Sequence, residues 1–430
     1  MNHGSSAFST TRKVPAAILF VHHRAELGGA PESLANLIRE LDRDRFDPYV
    51  YCPPGPAASL FAGAGATVHT GPVAGFTHIW ASTYRGRRWL LLGRELVRLP
   101  QHIARLSAVM RGTNVSLVHL NDSPPLVAAL LARKAGLPVV WHLRSALPES
   151  EGRWRSSAVR AVIAWASART IAINEDVAES FQLGSIVVPN GVDLDRFHPG
   201  DAAAARTNLR LNVEGPVVSA FGFLYPAKGF HVLLEAAALL QKRDVRATYL
   251  LVGGGVRGQT FFARRSGRLL RLLRLVRDHE GDARRLASTL QLGDLVRFIP
   301  YVDDTAQLYR ASDVVVAPSR GPELGRSVIE AAASGVPSVT SGSATGGGVV
   351  IPGKTGLIAS APSAEAIAAA VETLLRDPSL RRTLGSAARR HAEGHFDRAR
   401  SARVIERIYG ELLQQDASGA LGRRTAAART

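Results

Sequence analysis

The sequence predicts an α/β protein made of two doubly wound parallel-sheet domains that face each other across a cleft. Three observations carry that expectation. Short β-branched runs alternate with Ala/Leu-rich helical patterns from end to end, as in successive βα units. At 430 residues the chain exceeds the size at which one hydrophobic core keeps growing, so each half is expected to bury its own. Glycine turns follow several of the apolar runs, at the carboxyl ends of strands where such sheets bind ligands.

In the first half, runs rich in Val, Ile and aromatic residues predict strands over 17–22, 48–52, 116–120, 138–142, 169–173 and 186–188, with helices over 31–41 and 125–135. The apolar run Val14–Val21 follows Arg12 and Lys13 as a signal peptide would. It is short and meets His22, His23 and Arg24 without a small-residue cleavage site, so it is read as a buried first strand. The shift in composition at Phe197–Asp201 marks the interdomain connection and divides the chain into 1–199 and 200–395. In the second half the expected strands are 216–221, 247–252, 296–299, 313–317, 337–340 and 356–359. Helices are expected over 229–241, 304–311, 325–334 and 363–375. A last amphipathic helix is expected over 396–415, and the Ala/Arg/Gly/Thr-rich residues 416–430 read as a disordered tail.

Composition narrows the function classes. Hydrophobic residues at 46% and charged residues at 21% exclude a disordered or fibrous chain. The lone cysteine, Cys52, forms no internal disulfide and points to a reducing compartment. No apolar run is long enough to span a bilayer, so a cytoplasmic protein is expected. The net charge of +17 implies attraction to nucleic acid, anionic lipid or phosphorylated substrates, or else arginines spread over solvated faces. Two segments, 78–111 and 256–285, mix arginine with leucine and aromatic residues at helical spacing. They suit a membrane headgroup boundary or a polyanionic acceptor, or a helix with leucines in the core and arginines in water.

Residues with chemistry gather at predicted turns. Between Pro318 and Pro337 the chain reads as a strand end, a glycine turn and a helix: Gly325 lets the backbone approach a ligand, the next helix offers free N–H groups, and Glu330 sits about one and a half turns in. A nucleoside diphosphate satisfies both ends. Gly28 and Gly29 open a similar approach after the first strand. Lys228, next to Gly229, offers an ammonium to a diphosphate leaving group. His119 and His142 end strands, where catalytic groups belong. Asn190, Gly191 and Asp193 form a turn in which glycine is expected to supply positive φ. The Asp193-Leu194-Asp195 string imitates a divalent-metal motif but belongs to that turn, and no His/Cys ligand cluster accompanies it, so no metal and no cofactor are expected.

These segments together, Pro318–Pro337, Pro189–Asp193 and Gly222–Gly229, resemble the retaining glycosyltransferases of family 4, and the resemblance runs from about Ile18 to His395. It implies the GT-B fold of two Rossmann-like domains, with the final helix crossing back onto the first. By this resemblance the Gly28–Gly29 loop faces the reaction centre, Gly222 belongs to the donor-binding motif that carries Lys228, Lys228 contacts the diphosphate and Glu330 holds the ribose hydroxyls. The family's first paired glutamate would fall at Pro322, so Glu323 takes its place through an altered loop, or the Leu324 and Gly325 amides hold the hexose without it. Phe223 stands where the family often has an arginine, and no glutamate follows the glycines at 346–348. The region of His142 is where an active-site histidine is expected, with Arg144 as the other candidate.

The activity implied is transfer of a sugar from a nucleoside diphosphate sugar to a hydroxyl, with retention, on a glycan or lipid-linked acceptor in cell-surface polysaccharide or lipid-linked glycan assembly. The enzyme would be cytoplasmic, with an anionic inner-membrane surface as a candidate partner. The alternatives are a sugar-nucleotide epimerase or a phosphorylase on the same scaffold, or a basic nucleic-acid-binding protein. The last has no recognisable reading module or aromatic stacking platform, so no nucleic-acid partner is expected.

Overall fold

The computed structural model describes residues 14–74, 89–147, 152–254, 259–272, 276–302, 304–319, 325–341 and 348–427. Its first sheet has seven parallel strands: β1 (Ala16–His22), β2 (Phe46–Cys52), β3 (Thr67–Thr70), β4 (Leu117–Asn121), β5 (Val139–Leu143), β6 (Arg169–Ala172) and β7 (Ile186–Val187). They lie in the order β3-β2-β1-β4-β5-β6-β7. The connecting helices are α1 (Gly29–Glu40), α2 (Pro56–Gly63), α3 (Trp89–Gly112), α4 (Leu126–Lys134), α5 (Arg153–Ala166) and α6 (Glu175–Phe181).

After α7 (Ala202–Asn208) comes a second sheet of β8 (Val217–Phe221), β9 (Thr248–Val252), β10 (Val296–Ile299), β11 (Val314–Ala317), β12 (Ser338–Ser341) and β13 (Gly356–Ala359), ordered β10-β9-β8-β11-β12-β13. Its helices are α8 (Phe230–Lys242), α9 (Gln259–Ala263), α10 (Arg265–Leu272), α11 (His279–Thr289), α12 (Ala306–Arg310), α13 (Arg326–Ala333), α14 (Ala364–Arg376) and α15 (Pro378–His395), and α16 (Arg398–Ala427) closes the chain. Two parallel-sheet α/β domains of this kind are the GT-B architecture.

Strand order reverses between β1 and β4 in one sheet and between β8 and β11 in the other. A crevice opens at each such switch point, beyond the carboxyl ends of the strands. The loops carrying Gly28–Gly29, Gly222–Lys228 and Gly325 follow β1, β8 and β11, so topology alone directs them to the crevices.

Alternation along the strands decides which helices each sheet face meets. In the first sheet Leu19, Val21, Val118, Leu120 and Trp141 pack beneath α3, α4 and α5. Ile18, Phe20, Leu117, Val140 and Ile171 pack beneath α1, α2 and α16. The crossing helix is anchored by Ile405, Ile408 and Leu412, all buried, each contributing about 2 kcal/mol relative to exposure. Beyond Leu413 its described side chains are exposed.

Three sequence readings change on this fold. Strand β3 was not expected: Thr67–Thr70 is a short edge strand with half-exposed polar residues and no apolar run to announce it. Gly191 does not take positive φ. It is glycine because a Cβ there would come 2.4 Å from the Arg398 Cα, where Val192 and Asp397 pair as an isolated parallel bridge. The chain expected over 256–285 as one basic stretch is divided among α9, α10 and α11. Cys52 is buried, and burial pushes its thiol up to about 12.

Candidate functional site

One cavity of about 410 Å³ lies between the two domains. Gly28, Gly29, Gly222, Lys228, Gly325 and Glu330, six residues singled out from the sequence, all line it. Phe223 and Arg326 bring the walls close: a Cβ on Gly28 would sit 3.5 Å from Phe223 Cε2, and one on Gly29 would sit 3.7 Å from Arg326 Cδ. The glycine pair therefore lets the first domain's backbone come close to the second domain across this cavity.

Lys228 ends a single 3-10 turn, Pro226–Lys228, that Gly229 terminates in the left-handed region at φ 71°. Any side chain at Gly229 would collide with Pro318 O, at 1.8 Å from its Cβ, so the turn is pressed onto the end of β11. Ser319 Oγ donates to Ala227 O at 3.3 Å and holds the same two loops together. This packing brings Lys228 Nζ to 3.7 Å from the Cβ position of Gly325, the N-cap of α13. Ammonium and helix N-terminus thus converge, and no carboxylate among the described residues pairs with Lys228. A positive site formed from an ammonium and free amides suits phosphate.

Glu330 lies just past the first turn of α13 and is held from two sides. Arg326 donates to Oε1 through Nε at 3.1 Å and Nη2 at 2.9 Å, while the Tyr309 hydroxyl donates to Oε2 at 2.9 Å. Of the roughly four lone-pair sites of a carboxylate, one is left to accept from a ligand hydroxyl. Tyr309 is buried, stacks on Phe221 with ring centroids 3.9 Å apart, and its hydroxyl is held well above the usual phenol range by burial and by Glu330. It therefore remains a donor. Phe223, in place of a cation, stacks with Tyr301 on the cavity wall.

Asp193 serves the interdomain turn. Its Oδ1 accepts from the backbone N–H groups of Asp195 and Arg196 at 3.1 and 3.0 Å, and its Oδ2 receives Arg398, which also pairs with Glu40 at 2.6 Å.

Family models match this chain in two blocks, "Glycosyltransferase Family 4" over residues 27–196 and "Glycosyl transferases group 1" over residues 201–391. The chain belongs to glycosyltransferase family 4. Relatives named D-inositol 3-phosphate glycosyltransferase include that of Rhodococcus jostii, 38% identical over 210 residues (48% of this chain, 43% of the relative), and that of Nocardia farcinica, 35% identical over 230 residues (53% and 47%). The chain spans about half the length of the curated relatives it matches. Among solved structures, Anabaena HepE with UDP-glucose superposes at TM-score 0.73 with 22% identity, covering 92% of this chain and 99% of that one. Sucrose-phosphate synthase of Thermosynechococcus elongatus does so at 0.71 with 21% identity, covering 93% and 100%. At these identities the likeness establishes the fold.

The other residues picked out from this family 4 sequence are placed differently. Glu323 and Leu324 lie outside the described residues, as do Pro322, Gly346 and Gly347. His119 and His142 do not line the 410 Å³ cavity. Strand alternation turns both toward α16, where the Tyr409 hydroxyl lies 2.7 Å from His119 Nδ1 and His119 Nε2 lies 3.3 Å from His142 Nδ1. Burial, with the nearby Arg144 charge, pulls His119 down to about 3 and His142 well below its ordinary value. Both are neutral at physiological pH.

Arg144 continues that network, donating to Asn121 Oδ1 and, at 2.6 Å, to Asn190 Oδ1 of the interdomain turn. Burial pulls its guanidinium down to about 9. Asn121 Nδ2 in turn lies 2.9 Å from His22 Nδ1. Sequence reasoning missed Arg326 and Tyr309 as partners of Glu330. Arg326 carried a legible signal, being four residues before Glu330 on the same predicted helix; Tyr309 is joined to it only by the fold.

Proposed function

We propose that the chain transfers a sugar from a nucleoside diphosphate sugar to an acceptor hydroxyl, with retention at the anomeric carbon. One observation carries this reading: Lys228 Nζ, the Gly325 N-cap of α13 and Glu330 line one cavity, opposite Gly28 and Gly29. The α13 amides and Lys228 receive the diphosphate, and their attraction grows as the glycosidic bond breaks and charge moves onto the leaving group. Glu330, already oriented by Arg326 and Tyr309, accepts from a ribose hydroxyl. The acceptor hydroxyl attacks from the face the diphosphate leaves, and the departing phosphate assists, as the family resemblance implies. Glu323 or the Leu324 and Gly325 amides position the hexose. His119 and His142 act through Arg144, as positioning residues for the turn at Asn190.

In this account residues 1–199 form the acceptor side, 200–395 the nucleotide-sugar side, and 396–415 tie the two together; the 416–430 segment, expected to be disordered, instead continues α16 as far as Ala427. Relatives named for transfer to D-inositol 3-phosphate, and a same-fold protein found with UDP and glucose, support the donor and reaction class. The acceptor is a glycan or lipid-linked molecule of cell-surface polysaccharide or lipid-linked glycan assembly, met in the cytoplasm at the inner membrane face.

The test is donor turnover with a panel of nucleoside diphosphate sugars, following the anomeric proton of the transferred or released sugar by NMR. Retained configuration is expected with at least one donor. Inverted configuration contradicts retention, and no release of nucleoside diphosphate from any donor contradicts the reaction class.

A further inference from the structure

On one face of the first domain the helices α3, α4 and α5 carry nine cationic side chains and a single acidic one, Glu95. The same helices expose large apolar side chains: Val97 is 82% exposed, Trp154 80%, Leu90 54%, Trp165 53%, Leu96 52% and Leu130 41%. The faces of α4 and α5 are continuous, because Arg133 lies over the Trp165 ring at 4.4 Å and donates to Trp165 O at 2.9 Å. Isolated exposed apolar residues are ordinary; this many on adjoining helices with one sign of charge are not.

Helix α3 shows why a partner is needed. Leu92, Leu96, Leu99, Ile103, Leu106 and Met110 form one stripe at 3.6-residue spacing. Its carboxyl-terminal part packs on the core through buried Leu106 and Met110, whereas no described side chain before His102 is buried. Half of a continuous apolar stripe is therefore only partly covered by the described residues. Because α3 leads into the first residue of β4, its open half lies at the carboxyl ends of the strands, the side of the cleft. Trp154, at the start of α5 after β5, lies at that end too.

We propose that the α3–α4–α5 face docks on an anionic lipid bilayer, its Trp and aliphatic side chains entering the headgroup boundary and its arginines meeting lipid phosphates. Indole rings and snorkelling arginines are suited to that depth, and each cation near an anionic surface adds to the attraction. Docked this way, the chain sets the rim of its cleft at the lipid surface, where a lipid-linked acceptor presents its hydroxyl. The inference rests on the transfer reading and deepens it by giving the membrane contact a place, on the first domain rather than on α10.

The test is co-sedimentation of the full chain with phosphatidylglycerol/phosphatidylcholine vesicles and with phosphatidylcholine alone, comparing native protein, the triple variant Val97→Ser/Trp154→Ser/Trp165→Ser, and Leu269→Ser/Leu272→Ser on α10. UDP and GDP thermal shifts are run in parallel. The native chain is expected to bind anionic vesicles at least tenfold better than neutral ones. The triple variant should lose tenfold or more, and the α10 variant should match the native chain. These exposed positions leave the fold and the nucleotide shift unchanged, so loss of the nucleotide shift in the native chain reports on the transfer reading alone. Equal binding to neutral vesicles, an unaffected triple variant, loss in the α10 variant only, or displacement of bound vesicles by a nucleic-acid competitor overturns the docking surface.

Discussion

Arg326 grips Glu330 through two nitrogens while its remaining amine reaches Ser33 Oγ at 3.2 Å and Gly191 O at 3.4 Å. The residue that orients the proposed ribose ligand is thus also the one that ties the second domain to α1 and to the interdomain turn. Both side chains are nearly buried, at 10% and 13% exposure, so removing one leaves a charge without its partner. Arg326→Ala is expected to cost about 3 kcal/mol of stability and to raise the donor KM. Arg326→Lys keeps charge but not the two-pronged geometry, and should recover stability better than donor affinity. Thermal melts and donor titrations on the two variants check this; equal donor affinity in Arg326→Ala and native protein would contradict it.

Lys228 acts in this account on charge that develops as the diphosphate departs. Lys228→Ala should lower kcat/KM about 100-fold with little effect on melting temperature, because the side chain lines the cavity and no carboxylate among the described residues pairs with it. Steady-state kinetics beside a melt separates this from a folding defect.

Gly229 holds a backbone conformation closed to other residues, with Pro318 O where a Cβ would be. Gly229→Ala should destabilise by about 2 kcal/mol or more and displace Lys228 from α13, lowering both stability and turnover. Gly215, also at positive φ but with open space around it, serves as the comparison: Gly215→Ala there should cost strain alone.

The buried histidines set an acid limit to stability. His22 and His119 are pulled down to about 3 and His142 well below its ordinary value, chiefly by burial and then by the Arg144 charge. Between the unfolded value of about 6.5 and the depressed folded values, the unfolded chain binds more protons, so stability is full above that window and falls as pH drops through it. Asp122, raised by burial, takes its proton earlier in the folded state and offsets part of the loss at the acid end. Denaturant midpoints measured from pH 7 to pH 4 should decline, and His119→Phe should decline less steeply than the native chain.

How far the sequence carried the fold depended on contrast. Continuous apolar runs such as Ile18–Val21 and Val314–Val316 are buried on both faces, and their strands fall where they were expected. Thr67–Thr70 had no such run and escaped notice. The glycines and Lys228 of the cavity were legible because turns at strand ends announce themselves in composition. His119 and His142 were legible as strand-end groups but not in direction: they share a face with Phe20 and Leu117, which α16 covers, and the Tyr409 of that helix is 290 residues away in sequence from His119. Tyr309 was hidden for the same reason, since only sheet topology sets α12 beside α13.

The central claim is that one ammonium, the α13 N-terminus and Glu330 form a nucleoside diphosphate site. The direct measurement is a thermal-shift panel of nucleoside diphosphates on the native chain, Lys228→Ala and Glu330→Ala. The account predicts that at least one diphosphate raises the native melting temperature, that Lys228→Ala loses most of the shift, and that Glu330→Ala loses the preference for diphosphates carrying ribose. No shift with any diphosphate, or both variants responding as the native chain does, would contradict it.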